Sequence, residues 1–451
     1  MRRMSAPDAA MYWRSAIMPS DQFVVYCFDA PDPAVSMAEV VRELRERARG
    51  VGDLRLRVLN VPGDLDRPYW VGSGVGPEAV VVYPVLTWRE CLDRIGELND
   101  DQVDPSESAW RIHLFGPLTG APRGCSAGEG RAIVAVLQIS HAVADGRGTA
   151  AICRALFGVV PPQYGAGGDE PVSGWLPSAR WGAAALGVAR LPVSVASMVW
   201  LGLRSFAEYR TAVRRSHPEA PGVVGVPATE LNRSAGPGRT LRVIVLDRRS
   251  LPPGHSVTVA ALTAISFALD ELLGPVPRRT AELTVGRPPR PGVRNNFGNV
   301  AVDLHQETDD VGVRMSRIAE EVTAAQRKAA TPDPVAESAY RAESATPAFL
   351  AHWAIRQFDI GTRPDTVTGV TVVSTVNRGP ADLALAGGRV RFTTGFPALS
   401  PCQGLTHGVH GIGSAVAISV TTSPEIVDVD AYVEMLRRAL DRVSAVGPSR
   451  L

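Results

Sequence analysis

The 451-residue sequence predicts an α/β protein built as two halves with mixed sheets, and three observations carry that expectation. Short, near-continuous apolar runs such as AIVAVLQI at 132–139 have strand length. They alternate with segments whose apolar residues recur every three to four positions, the period of an amphipathic helix. The chain is long for a single compact core, and a Gly/Pro-rich stretch at 161–178 falls where a boundary between halves is needed.

Taken in order, FVVYCF at 23–28 reads as a strand. Ser36 and Glu39 then form a capping box opening a helix with Met37, Val41 and Leu44 on one face. LRLRVLN at 54–60, AVVVYPVL at 79–86 and the run 110–115 read as further strands leading to the central one.

The central stretch is RAIVAVLQISHAVADGRGTAAICRALFG at 131–158. A strand over 132–139 ends just before His141, and helical spacing of Ala150, Cys153, Leu156 and Phe157 begins after Asp145-Gly146, with Gly158 as its stop. An imidazole with an ordinary pKa near 6.5, placed at a strand end, can face a cleft and act as a general base. Asp145 could orient it or pair with an arginine that closes the turn, and Gly146 lets backbone approach closely. The bare pattern H-x-x-x-D-G equally fits a buried histidine satisfied by its own turn.

The second half repeats the same grammar. The run 241–246 is a strand, Ser256 caps a helix ending near Gly274, and Val300, Val302 and Leu304 alternate along a later strand. Val311, Met315, Ile318, Val322 and Ala325 share one helix face, 370–376 and 415–420 are buried strands, and a last helix capped by Asp430 buries Val433, Leu436, Leu440 and Val443. Between the halves, 181–210 is rich in Ala, Leu, Val and Trp. Its longest uncharged run, 191–203, is shorter than the roughly 20 residues of a spanning helix, so a helix packed on the body is favoured over an interfacial one touching lipid. Residues 216–238 are a second Pro/Gly-rich loop.

Composition excludes several classes. Lys plus Arg number 47 against 46 for Asp plus Glu, leaving no net field to hold nucleic acid or an anionic membrane. The five cysteines are scattered without C-x-x-C spacing, which argues against a disulfide framework or a structural zinc site and for a reducing cytoplasm. The amino terminus lacks the apolar core of a signal peptide. GCSAG at 124–128 matches the G-x-S-x-G nucleophile elbow in letters only, since a Gly/Pro loop precedes it and a strand follows. His407 and His410, after Cys402 in a Gly-rich stretch, fit no standard metal spacing and read as loop histidines. No P-loop, dinucleotide fingerprint or H-E-x-x-H is present.

HAVADG at 141–146 resembles the HxxxDG motif of the CoA-dependent acyltransferase superfamily, and its surroundings resemble the wax ester synthase/diacylglycerol acyltransferase family. LDRPYWV at 65–71, VDPSESAWRIHLFG at 103–116, TELNRSAGPGRTLRVIVLD at 229–247, NNFGNVAVDL at 295–304 and GGRVRFTTGFPALSPCQGLTHGV at 387–409 follow in that family's order. Three positions depart from it. Ser140 stands where many members have a first histidine, HSVTVA at 255–260 replaces an Asn-Asp pair, and TVNRGP at 375–380 carries its Asn one residue late.

The resemblance implies two chloramphenicol-acetyltransferase-like subdomains, residues 1–165 and 220–451, joined by a linker and helical crossover at 166–219, with an active-site tunnel at their interface. It implies His141 as general base in transfer from an acyl thioester, acyl-CoA or acyl-carrier-protein, to an acceptor hydroxyl, with no bound cofactor. Asn299 is the implied oxyanion donor and Arg287 an implied partner for Asp145. The implied partners are small-molecule donor and acceptor, with at most peripheral membrane contact in a cytoplasmic protein. Two alternatives stand beside it: a freestanding condensation-type enzyme using a carrier protein to make an amide or ester, and a non-catalytic degenerate paralogue.

Overall fold

The computed structural model describes residues 1–33, 35–124, 130–159, 176–215, 225–274, 278–331, 333–357 and 363–446. The GCSAG segment beyond Gly124 and the 161–175 part of the expected linker lie outside them.

Ser5 caps the first helix, α1 (Ala6–Ser15), by accepting the amide of Asp8. Strand β1 (Gln22–Asp29) is buried throughout its middle, and α2 (Met37–Gly50) opens on the Ser36/Glu39 capping box expected from sequence. Val40, Leu44 and Ala48 form its buried face, with Met37 and Val41 at the edge of the same core. Strands β2 (Leu56–Leu59) and β3 (Tyr69–Gly72) pair with Arg2–Arg3 in a small sheet. After β4 (Val80–Tyr83), α3 (Trp88–Leu98) and β5 (Trp110–Leu118) comes β6 (Ala132–Ile139), completely buried, and then α4 (Gly146–Phe157).

Helix α5 (Leu176–Arg215) runs 40 residues and, as expected, packs on the body along part of its length. Ala183 and Ala184 pack on Leu59, Val61, Tyr69 and Val71, but Trp181, Leu186, Val193, Trp200 and Leu203 are exposed. The stretch Ser178–Glu208 is long and apolar enough, by length and composition, to cross a membrane.

The second half contributes β7 (Thr240–Asp247), α6 (Val257–Leu273), β8 (Thr280–Gly286), β9 (Phe297–Asp303), α7 (Val311–Ala330), α8 (Pro334–Ala345), α9 (Ala348–Arg356) and β10 (Thr371–Asn377). It closes with β11 (Ala384–Leu385), β12 (Gly388–Phe396), β13 (Leu405–Ile412), β14 (Ala415–Thr422) and α10 (Val429–Ser444). The cap of α10 is Asp428, whose side chain accepts the amides of Asp430 and Ala431. Asp430, expected as the cap, lies in the first turn and pairs instead with Arg242, 2.8 Å away.

Two six-stranded mixed sheets result, in the orders β11-β12-β1-β6-β5-β4 and β9-β8-β10-β13-β14-β7. The C-terminal half therefore lends β11 and β12 to the first sheet. β12 comes from the C-terminal half yet pairs antiparallel with β1, with Phe396 opposite Phe23, and Arg391 anchors it by a 2.7 Å ion pair to Asp29. Where β12 meets the second sheet, Ser419 Oγ donates to the Gly395 carbonyl. A Cβ on Gly408 would fall 2.4 Å from that same carbonyl, so only glycine permits the seam.

Candidate active site between the two sheets

β6 carries no polar residue but Gln138, so burial fixes it in the centre of its sheet and delivers Ser140 and His141 to its end. The turn is held by Asp145, which caps α4 by accepting the amides of Arg147 and Gly148 at 3.1 and 2.9 Å. His141 projects into a cavity of about 1120 Å³ between the two sheets. Its walls come from both halves, among them Phe23 of β1, Val285 of β8, Phe297 and Asn299 of β9, and Val376 of β10.

His141 Nδ1 lies 2.9 Å from Oδ1 of Asn295, and the imidazole tilts against the Phe297 ring at a centroid distance of 5.4 Å. Asn295 is itself fixed: its Nδ2 donates to Oδ1 of Asp8 at 3.2 Å, and its backbone amide donates to the same oxygen at 2.9 Å. A carboxylate only accepts, so the amide nitrogen faces Asp8 and the amide oxygen faces His141. Nδ1 must then carry the proton, leaving Nε2 as the basic atom. Burial lowers the His141 pKa from its ordinary value, partly offset by the Asn295 hydrogen bond and the Asp145 charge, so the imidazole is neutral at physiological pH.

Of the residues expected from sequence, His141, Asp145 and Gly146 meet at this cavity. Asn299 lies on its wall too, but its amide donates to Glu282, whose carboxyl pKa burial raises. The expected Asp145–Arg287 pair does not form. Asp145 spends its oxygens on backbone amides, including that of Asn296 at 3.4 Å, while exposed Arg287 packs over Gly298, where a Cβ would fall 2.8 Å from its guanidinium. His407 and His410 are not in a loop; both sit on buried β13. His407 is enclosed by Thr371 Oγ1 at 3.0 Å and the Tyr432 hydroxyl at 2.9 Å, whereas His410 reaches the cavity wall.

Sequence reasoning missed Asn295 and Asp8. Asn295 opens the NNFGN segment, and Asp8 stands three residues after Ser5 in an N-cap pattern that was available. Neither position carried a sign that they would meet, since 287 residues separate them.

Residues 293–444 match the family model described as the WS/DGAT C-terminal domain. No curated protein matches the chain. Among solved structures, the chain is similar to a wax ester synthase/diacylglycerol acyltransferase from Marinobacter aquaeolei VT8, at 16% identity and a TM-score of 0.63, with 98% of each chain covered. It is also similar to the starter condensation domain of rhizomide synthetase in complex with C8-CoA and Leu-SNAC, at 12% identity and a TM-score of 0.54, covering 98% of this chain and 93% of that one. The first condensation domain of the calcium-dependent antibiotic synthetase gives 12% identity and 0.54, covering 98% and 95%. The fold is that of condensation domains and of wax ester synthases, with two chloramphenicol-acetyltransferase-like halves.

Proposed function

We propose that this chain, WS/DGAT-like in its C-terminal domain and condensation-type in its fold, is an acyltransferase that moves an acyl group from acyl-CoA to an acceptor hydroxyl. The observation that carries the reading is an imidazole on the wall of a cavity between the two sheets, with Nδ1 committed to Asn295. Nε2 of His141 takes the proton from the acceptor hydroxyl as its oxygen attacks the thioester carbonyl. The tetrahedral oxyanion collapses to ester and thiolate, and His141 returns the proton to sulfur. No acyl-enzyme and no bound cofactor enter the sequence of steps. We assign Asn299, whose amide has a second hydrogen beyond the one on Glu282, as a donor to the oxyanion.

The likeness to a condensation domain solved with C8-CoA favours a CoA donor, and the same likeness keeps a carrier-protein donor with amide or ester formation as the second reading. Presenting the chain with acyl-CoA and with acyl carrier protein, each with alcohols and amines, and following thiol release separates them. Thiol release from neither, with any acceptor, would leave the chain a non-catalytic relative.

We place the chain in the cytoplasm, with lipid contact confined to α5, whose exposed Trp181 and Trp200 suit an interface. Co-sedimentation with liposomes that persists after Trp181→Glu and Trp200→Glu would remove that contact.

A further inference from the structure

The cavity wall holds a buried cation that no anion matches among the described residues. Arg378, at the end of β10, is 2% exposed, and its backbone ties it in place: its amide donates to the Gly411 carbonyl at 2.8 Å, and its carbonyl accepts from Arg154. Its guanidinium has one long contact, Nη1 to the Gly146 carbonyl at 3.4 Å, and Nε has no partner among the described residues. A guanidinium carries five N–H donors, and burying it without an anion is costly.

The carboxylates on the same wall are all committed elsewhere. Asp21 accepts from the Val103 amide and Gln138, Asp145 caps α4, and Glu282 holds Asn299. Asp382, four residues along, pairs with Arg154. Of the other groups that feel the Arg378 charge, three stay uncharged, since burial pushes the Cys153 thiol up to about 11, raises the Tyr26 hydroxyl and lowers His410 well below its ordinary value, while the Arg154 guanidinium beside the Arg378 carbonyl adds further positive charge. The first turn of α4 adds positive rather than negative potential beside Gly146.

His410 supplies the second, independent observation. It is 4% exposed, lines the same cavity, and its Nδ1 is also without a partner among the described residues. Gly395 makes room for this ring, since a Cβ there would meet it at 2.8 Å. Two buried polar side chains, one just after β10 and one on the neighbouring β13, thus present unmatched polar atoms to one cavity that also holds His141, and the neutral His410 ring can turn its single N–H toward an anion as either tautomer.

We propose that Arg378 and His410 seat a carboxylate of the acceptor, so that the molecule acylated is a hydroxy acid or an amino acid rather than a plain alcohol. This rests on the acyltransferase reading for its biological meaning, but the seat is a binding property. A phosphate of CoA shares the chemistry. The acceptor is the assigned source because Arg378 contacts Gly146, inside the turn that carries His141.

The test is equilibrium binding by calorimetry of three probes: 3-hydroxydecanoate, its methyl ester, and coenzyme A. The wild-type chain is compared with Arg378→Met and Arg378→Lys. Wild type is expected to bind the carboxylate at least about ten-fold more tightly than the ester, the scale of a charge-assisted hydrogen bond. Arg378→Met should erase that preference and Arg378→Lys should keep part of it. Equal affinity of wild type for acid and ester overturns the proposal without any variant. A preference that survives Arg378→Met, or a loss in that variant confined to coenzyme A, overturns it as well. Acylation of decanol together with no carboxylate preference would sink the seat and leave acyl transfer standing; carboxylate binding with no thioester turnover would do the reverse.

Discussion

Nδ1 of His141 lies 2.9 Å from Oδ1 of Asn295, a residue of the other half of the chain, and this contact selects the tautomer. Without it either ring nitrogen could hold the proton, and the basic one would face the cavity only part of the time. The first prediction follows. His141→Ala should lower kcat/KM by about 10²–10⁴-fold, the usual range for general-base catalysis, with little change in melting temperature. Wild-type turnover by that variant would refute the assignment of the base.

Asn295→Ala should behave differently from His141→Ala. It frees the imidazole, so kcat should fall more than KM rises. It also strips the buried Asp8 carboxylate of the 3.2 Å amide hydrogen bond, a loss that typically costs about 1–3 kcal/mol. Steady-state kinetics with chemical denaturation checks both halves. An unchanged kcat in a destabilised protein would assign Asn295 a purely structural task.

Asp145 should matter less to stability than an ion-paired residue of the same motif would. Its carboxylate caps α4 and meets no cation among the described residues, so Asp145→Ala should cost about 1 kcal/mol, where breaking a buried ion pair costs about 3–5 kcal/mol. Asp145→Asn should recover most of the loss, because Asn caps as well as Asp. Urea unfolding of the two variants measures this, and a loss near the larger figure in both would point to a cation partner.

How far the sequence could be read depended on whether the physics was local. β6, the turn at His141 and α4 came out at nearly their final bounds, because full burial, a capping Asp and helical spacing are written in neighbouring residues. The same holds for the Ser36 and Ser256 caps. β13 was missed because two glycines and two histidines dilute its apolar pattern, and Gly408 and His410 are there for the seam and the cavity rather than for strand propensity. Arg287 was misassigned because ion pairing depends on where two distant strands place their side chains. Asn295 and Asp8 stayed hidden for the same reason, as did the placing of β12 in the first sheet, since strand pairing between halves leaves no periodic trace.

The pH dependence of catalysis should bear the mark of the half-buried His141 imidazole. Burial lowers the His141 pKa and stabilises the neutral, basic form, so the acidic limb of kcat/KM should fall at a pH below the ordinary 6.5. A limb centred above 6.5 would mean that a carboxylate, not burial, dominates the histidine's surroundings.

Stability should decline on acidification for a separate reason. His113, buried and bonded to Gln138 at 2.8 Å, is pushed down to about 4, and His407, enclosed by Thr371 and Tyr432, to about 3, in both cases by burial. Between these values and 6.5 the unfolded chain binds protons that the fold refuses, so stability present at pH 7 is lost as pH falls, by up to about 1.4 kcal/mol per pH unit for each histidine. Asp21 acts the other way. Burial raises its carboxyl to about 6, so the fold binds its proton more readily than the unfolded chain between 3.8 and 6, and acidification there recovers part of the loss. Two buried histidines outweigh one aspartate, and the net slope from pH 6.5 to 4.5 should be a fall. Melting temperature measured across that range should drop in wild type and drop less steeply in His113→Gln, which removes one refused proton. A melting temperature that is level from pH 7 to 5 would show that these imidazoles are reached by water or protonate within the fold.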